Sequence, residues 1–198
     1  MSEAQQIHIT AEPQSIPTNC LFKVDRTLLD GMIYVSDQEW AKEWAPLVAY
    51  IFEHVEGVRG VKIHGSEVLV TMAHTPEDWR VPARASGSAI RGFLEQDIEC
   101  VKSGASDALQ GDDLLRHQAQ KVVDDTLNPG LASHGGFVEI MASDGKNLYI
   151  SMGGGCQGCG SAAMTMKQGV EVAIRNEVPG IEGIFDSTDH AAGTNPFM

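Results

Sequence analysis

Leu148-Tyr149-Ile150-Ser151-Met152-Gly153-Gly154-Gly155-Cys156-Gln157-Gly158-Cys159-Gly160-Ser161 is a β-prone apolar run that gives way to glycine, passes through Cys-x-x-Cys and emerges in small residues. Past it, Ala163, Met166, Val170 and Ile174 recur every three or four residues, so the cysteines fall where a loop enters a helix. Before it, Phe137 to Met141 and Leu148 to Met152 bracket Asp144-Gly145, the turn chemistry of a β-hairpin. Leu115, Ala119, Val122, Val123 and Thr126 predict a preceding helix that stops at Asn128-Pro129-Gly130, and Gly183 to Phe185 predicts a last short strand.

Upstream lies a second set of elements. Ile7 to Ala11, Cys20 to Val24 and Met32 to Val35 are β-prone pieces separated by Pro13, Pro17 and Asp30-Gly31. Ser36-Asp37-Gln38-Glu39 has capping-box spacing, and Pro46 restarts the helix that carries Leu47, Val48, Ile51 and Val55 to Gly57. Val58 to Ile63 and Val68 to Met72 flank the turn His64-Gly65. Ile90, Phe93, Leu94 and Ile98 share a helical face, with breaks expected at Pro82 and at Ser86-Gly87-Ser88.

Between the two sets, Glu99 to Asp113 is small, polar and poor in apolar anchors, the composition of a linker. The fold class expected is α+β: two small domains, each a short, mostly antiparallel sheet packed with helices. They span residues 1–98 and 114–190, joined by a linker at 99–113, with a tail at 191–198.

The chain has 198 residues, a formal net charge of −13 and 42% hydrophobic residues. Residues 1–98 hold 8 Lys+Arg against 14 Asp+Glu and residues 99–198 hold 6 against 13, so no basic tail hides in the average. Such a field repels phosphate backbones and anionic lipid heads, which argues against nucleic acid and membrane as partners. No run nears the ~18 apolar residues of a membrane span. Met-Ser-Glu-Ala-Gln-Gln at the start has no basic region or apolar stretch of a leader, and the first arginine is Arg26, so a cytoplasmic protein is expected.

Cys-x-x-Cys serves metal sites and redox pairs alike. Gly153, Gly154, Gly155, Gly158 and Gly160 clear side chains from around both thiols, leaving room for a bulky inorganic body and baring N–H donors toward its negative charge. A thioredoxin-type site usually has Trp before its first cysteine and Pro within the dipeptide, whereas Gly155 and Gln157-Gly158 stand here. A closed zinc site or a [4Fe–4S] cluster takes four ligands, and Cys156 with Cys159 supplies two. Cys20, in an apolar β segment, and Cys100, at the linker edge, read as structural thiols; a symmetric dimer that pools two Cys156/Cys159 pairs is simpler. The zinc-bridged dimer and the thiol–disulfide oxidoreductase remain open on this reading.

His134, before Gly135-Gly136, reads as a turn residue rather than a ligand, and His8, His54, His64, His74, His117 and His190 share no ligand spacing. Met152, Met164 and Met166 suit core packing better than copper(I), and Trp40, Trp44 and Trp79 read as helix anchors. There is no nucleophile–base pair, no phosphate loop and no interpretable carboxylate pair, so no enzyme is expected.

Asn128-Pro129-x-Leu131-Ala132-x-His134-Gly135-Gly136, then Gly153-Gly154-Gly155-Cys156-x-Gly158-Cys159, then Thr165-x-Lys167-x-Gly169-Val170-Glu171, resembles the C-terminal domain of NifU, found as the Nfu domain of iron–sulfur carrier proteins. The likeness covers roughly Leu114 to His190. Through Pro17, Phe22, the Pro46 helix, Gly57-Val58 and the hairpin to Met72, the first domain looks like the Nfu N-terminal domain. Many members have Asp-Gly-Gly-Asp where His134-Gly135-Gly136-Phe137 stands, and Pro in place of Gly160; neither departure touches a ligand. The resemblance implies a carrier or scaffold that binds one [4Fe–4S] cluster per homodimer, or a [2Fe–2S] form, through Cys156 and Cys159, receives it from upstream assembly proteins and hands it to apo-proteins.

Overall fold

The computed structural model describes residues 6–14, 17–154 and 160–187, with the side chains of 142, 144 and 160–167 outside that description. Two compact units divide the chain, Met1–Leu109 and Gln110–Met198. Each is a sheet packed with helices, the mixed α+β class that patterning predicts.

In the first unit, β1 (Ile9–Pro13), β2 (Asn19–Val24), β3 (Met32–Val35), β4 (Val58–His64) and β5 (Glu67–Met72) form one antiparallel sheet in the order β1-β2-β5-β4-β3. Period-two alternation puts Cys20, Phe22 and Val24 on the same face as Val68 and Val70, and Val61 and Ile63 beside Ile33 and Val35. Pro13, expected as a separator, is the last residue of β1. It is tolerated because β1 is an edge strand and needs no outward donor.

Helices α1 (Gln38–Trp44) and α2 (Pro46–His54) follow β3. The α1 cap is Asp37 rather than Ser36: its Oδ1 accepts from the backbone N–H of Glu39 at 2.9 Å and of Trp40 at 3.1 Å. Helix α3 (Arg80–Leu94) is unbroken, against the expectation of breaks at Pro82 and Ser86-Gly87-Ser88. Pro82 lies in the first turn, where backbone N–H groups have no helical partner to lose. Ser86 is buried, and a Cβ on Gly87 would lie 3.9 Å from the Phe22 ring, so the small residues let α3 settle onto the sheet.

The stretch expected as a linker is anchored at its first half. Cys100, Val101, Ala105 and Leu109 are buried, and residues Ala105–Ala108 form the short α4. Backbone hydrogen bonds join it to the first two helices, Leu47 N–H to Cys100 at 3.1 Å and Lys102 N–H to Trp44 at 2.8 Å. The Trp40 indole donates to the Ala108 carbonyl at 3.0 Å. Apolar anchors this sparse suffice because each falls against a helix end already in place.

The second unit runs α5 (Gly111–Val122), a π-helical segment Val123–Leu127, α6 (Asn128–Ala132), β6 (Gly136–Asp144), β7 (Asn147–Gly154), α7 (Gly160–Glu177) and β8 (Gly183–Asp186). Strands β6 and β7 pair antiparallel through Gly145 (φ +55°), and α7 carries the chain over so that β8 joins β7 in parallel. Val138, Ile140, Leu148, Ile150, Met152 and Ile184 point into a core closed by Ala119, Val123, Val170 and Ile174. Asn128-Pro129-Gly130 does not stop the helix as expected. Pro129 opens α6, its fixed φ suiting a first turn, and the π segment leads into it directly.

Candidate functional site

The site is built from the open end of the β6–β7 hairpin, where the glycine run leaves the sheet. The last pairs of the ladder are Phe137 with Gly153 and Gly136 with Gly154. Gly154 has φ +62° and faces Gly135, whose φ is +66°. A Cβ on Gly154 would strike the Gly135 carbonyl oxygen, and a Cβ on Gly153 would fall inside the Phe137 ring. A side chain at Gly154 would meet fixed backbone, whereas one at Gly153 would need the half-exposed Phe137 ring to shift. Cys156 and Cys159 themselves lie outside the described residues.

Three side chains pack on or bond to the hairpin, Asn128 and Phe137 near its open end and Arg116 at mid-strand. Strand β6 is an edge, and Asn128 completes it: its Nδ2 donates to the Val138 carbonyl at 3.0 Å, while its Oδ1 accepts from the Val138 N–H at 2.8 Å. The ladder shifts register between Ile140 and Ala142, leaving Met141 as a bulge. Arg116 of α5, only 2% exposed, donates through Nη2 to the carbonyl of Ile140 at 3.1 Å and reaches that of Met141 at 3.5 Å. A charged donor satisfies carbonyl oxygens that a bulge takes out of the ladder. Phe137 covers Gly153 yet stays 49% exposed.

His134 is exposed. Its backbone N–H donates to Leu131 at 2.9 Å and that of Gly135 to Ala132 at 3.0 Å, a turn closed by the main chain. Cys20 and Cys100 are free, buried in the first unit, and burial pushes both thiols up to about 11, which disfavours the thiolate that a metal requires. Among the described residues, no group of three or more His, Cys, Asp and Glu is placed to hold a metal ion. Met152 is a core side chain. His117 is buried on α5, and desolvation, then the charge of Lys121, lowers its proton affinity. No helix among the described residues is long and apolar enough to cross a membrane.

Sequence reasoning singled out the cysteines and the glycines but missed Asn128 and Arg116 as supports of the site. Asn128 is masked by an Asn-Pro-Gly run that looks like a turn, and Arg116 lies on a helix stripe with Asp113, His117 and Gln120 that reads as solvated yet is buried.

This hairpin and the helix after it fall in a segment, residues 119–185, that matches the family model of the NifU-like domain. The Fe/S biogenesis protein NfuA of Xanthomonas euvesicatoria pv. vesicatoria is 47% identical over 79 residues, covering 39% of this chain and 39% of that protein. The Fe/S biogenesis protein NfuA of Stenotrophomonas maltophilia is 44% identical over 78 residues, with the same shares. The chain thus spans 39% of the length of these curated relatives. The solution NMR structure of a NifU-like protein from Saccharomyces cerevisiae aligns with a TM-score of 0.44 and 15% identity, covering 52% of this chain and 91% of that one. The family match begins at Ala119, so it leaves the first unit outside.

Proposed function

We propose that this chain is an iron–sulfur cluster carrier, and not an enzyme, whose cargo is a [4Fe–4S] cluster shared between two copies through Cys156 and Cys159 of each. The observation that carries the reading is the division of the four cysteines. The Cys-x-x-Cys pair lies inside the NifU-like segment, past Gly153 and the left-handed Gly154, while Cys20 and Cys100 are buried in the other unit with raised pKa values. Two ligands per chain fall short of the four a cluster needs, and a second copy supplies the rest.

In this reading the glycines leave room for the cluster and turn N–H groups toward its sulfides. Transfer is ligand exchange: a thiolate of the apo-protein bonds to an iron, the Cys156 or Cys159 sulfur leaves that iron and takes up a proton, and no electron changes hands. Assembly of two copies would follow cluster loading, since each copy alone is two ligands short. The first unit serves as an Nfu N-terminal domain beside the acceptor or donor, and the protein works in the cytoplasm.

The test is anaerobic reconstitution with iron and sulfide, quantified per chain, followed by size exclusion of apo and loaded protein. Four iron and four sulfide per two chains, a brown visible spectrum and dimeric elution are expected from the cluster stoichiometry. A colourless dimer holding zinc, or disulfide reduction without metal that is lost on Cys159→Ser, would overturn the reading.

A further inference from the structure

The first unit carries an exposed face that neither its own core nor the cysteine chemistry uses. It lies along α3, where Asp78, Arg80, Val81, Arg84, Ala85 and Ser88 line an open groove of about 580 Å³. Val81 is 75% exposed, the most open of the large apolar side chains described as exposed. Residues 81, 84, 85 and 88 fall at helical spacing on one side, away from the buried Ser86, Ala89, Ile90 and Phe93. The groove therefore follows the helix axis for roughly 10 Å at 1.5 Å per residue.

Its charge opposes that of the chain. From Trp79 to Leu94 there is no carboxylate and there are three arginines, in a protein of net charge −13. Arg91 is engaged, its Nη2 donating to the Ile7 carbonyl at 3.4 Å. Arg80 gives its Nε to Asp78 at 2.7 Å, a pair whose side chains are 89% and 45% exposed and which exchanges readily with other partners. Arg84 makes no ion pair or hydrogen bond among the described residues. Small side chains at Ala85 and Ser88 leave the floor open beside it.

We infer that this groove docks a short acidic segment of a partner protein, with an apolar side chain set against Val81 and carboxylates on Arg84 and Arg80. Arg80 and Arg84 stand one helical turn apart, ~5–6 Å between their Cβ atoms, so the fitting partner has acids spaced to match, three or four residues apart in a helix. Long-range attraction is absent because the rest of the surface is acidic. Recognition is therefore local, acting within the ~8 Å over which salt leaves charges unscreened. The inference concerns the first unit alone and does not rest on cluster binding.

Fluorescence anisotropy on the full chain tests it. The probe is a labelled peptide containing Glu-Leu-Leu-Glu, and the control carries Gln-Leu-Leu-Gln. The chain is expected to bind the probe about tenfold tighter than the control, with affinity falling as salt rises. Arg84→Glu, at an exposed position that leaves the circular dichroism unchanged, removes that preference, and Val81→Ser weakens both peptides several-fold. Equal binding of probe and control, or a preference that survives Arg84→Glu, overturns the proposal. So does sedimentation of the apo chain as a dimer that Arg84→Glu converts to monomer, which would assign the groove to a second copy.

Discussion

In the first unit Tyr34 lies across Gly60 of β4, and in the second Phe137 lies across Gly153 of β7. Each pair uses the missing Cβ to bring the tip of an aromatic ring close against a strand. The outcomes differ at the solvent: Tyr34 is 3% exposed and Phe137 49%. Gly60 lies within the sheet, between β3 and β5, where the ring is enclosed, whereas Gly153 is one residue from the end of its strand. The same local device is an interior packing joint in one unit and a half-exposed contact at a strand end in the other. The thiols divide in parallel, with Cys20 and Cys100 enclosed and the remaining two beyond the glycine exit.

The largest expected effect separates the two pairs of thiols. Cys156→Ala with Cys159→Ala should reduce iron bound after anaerobic reconstitution to background, whereas Cys20→Ala with Cys100→Ala should leave it intact. Equal losses would erase the distinction between the units. Next comes Gly154→Ala, which places a side chain at φ +62° and against the Gly135 carbonyl. The left-handed backbone alone costs ~1–2 kcal/mol and the contact adds to it, read as a lower denaturation midpoint of the second unit.

Gly60→Ala and Gly153→Ala sharpen the comparison itself. The enclosed Tyr34 ring has nowhere to go, so Gly60→Ala should cost ~1–3 kcal/mol by overpacking, while Phe137 can swing outward and Gly153→Ala should cost less than about 1 kcal/mol. Denaturant titration of both variants decides the order, and the reverse order would mean that exposure does not set the tolerance.

The smallest effect is one of pH. Desolvation, then the charge of Lys121, lowers the proton affinity of His117 in the folded chain, while the unfolded chain takes up its proton near 6.5. The second unit is therefore expected to hold its full stability above pH 6.5 and to lose it as the pH falls below, by at most about 1.4 kcal/mol per pH unit for this one group. His117→Gln should flatten the profile, and an unchanged slope would place its cause elsewhere.

Most strands were legible because hydrophobic alternation and Gly turns are local signals. Met32 to Val35 is the strand that patterning predicts, and the hairpins turn at Gly65 and Gly145 as their residues require. Pro46 opens α2 as expected. What local signals misjudge are positions whose meaning depends on a neighbour far along the chain. Ser86-Gly87-Ser88 reads as a break but lies within an unbroken helix that buries Ser86, and Pro129 reads as a stop but opens a helix. Cys100 and Val101 look like linker residues until they meet the helix ends of Trp44 and Leu47.

The sequence by itself determined two sheets of a mixed α+β protein, a hairpin that feeds a glycine run into Cys-x-x-Cys, and a single such pair of thiols in the chain. These follow from periodicity, turn chemistry and the number of ligands a chain can offer, all of which are written along the backbone. Only the tertiary structure decided that Arg116 answers the β6 bulge, that Asn128 closes the strand edge, and that a Cβ on Gly154 would strike the Gly135 carbonyl. Burial and hydrogen bonding join residues that the chain holds far apart, and no local pattern encodes the distance between them.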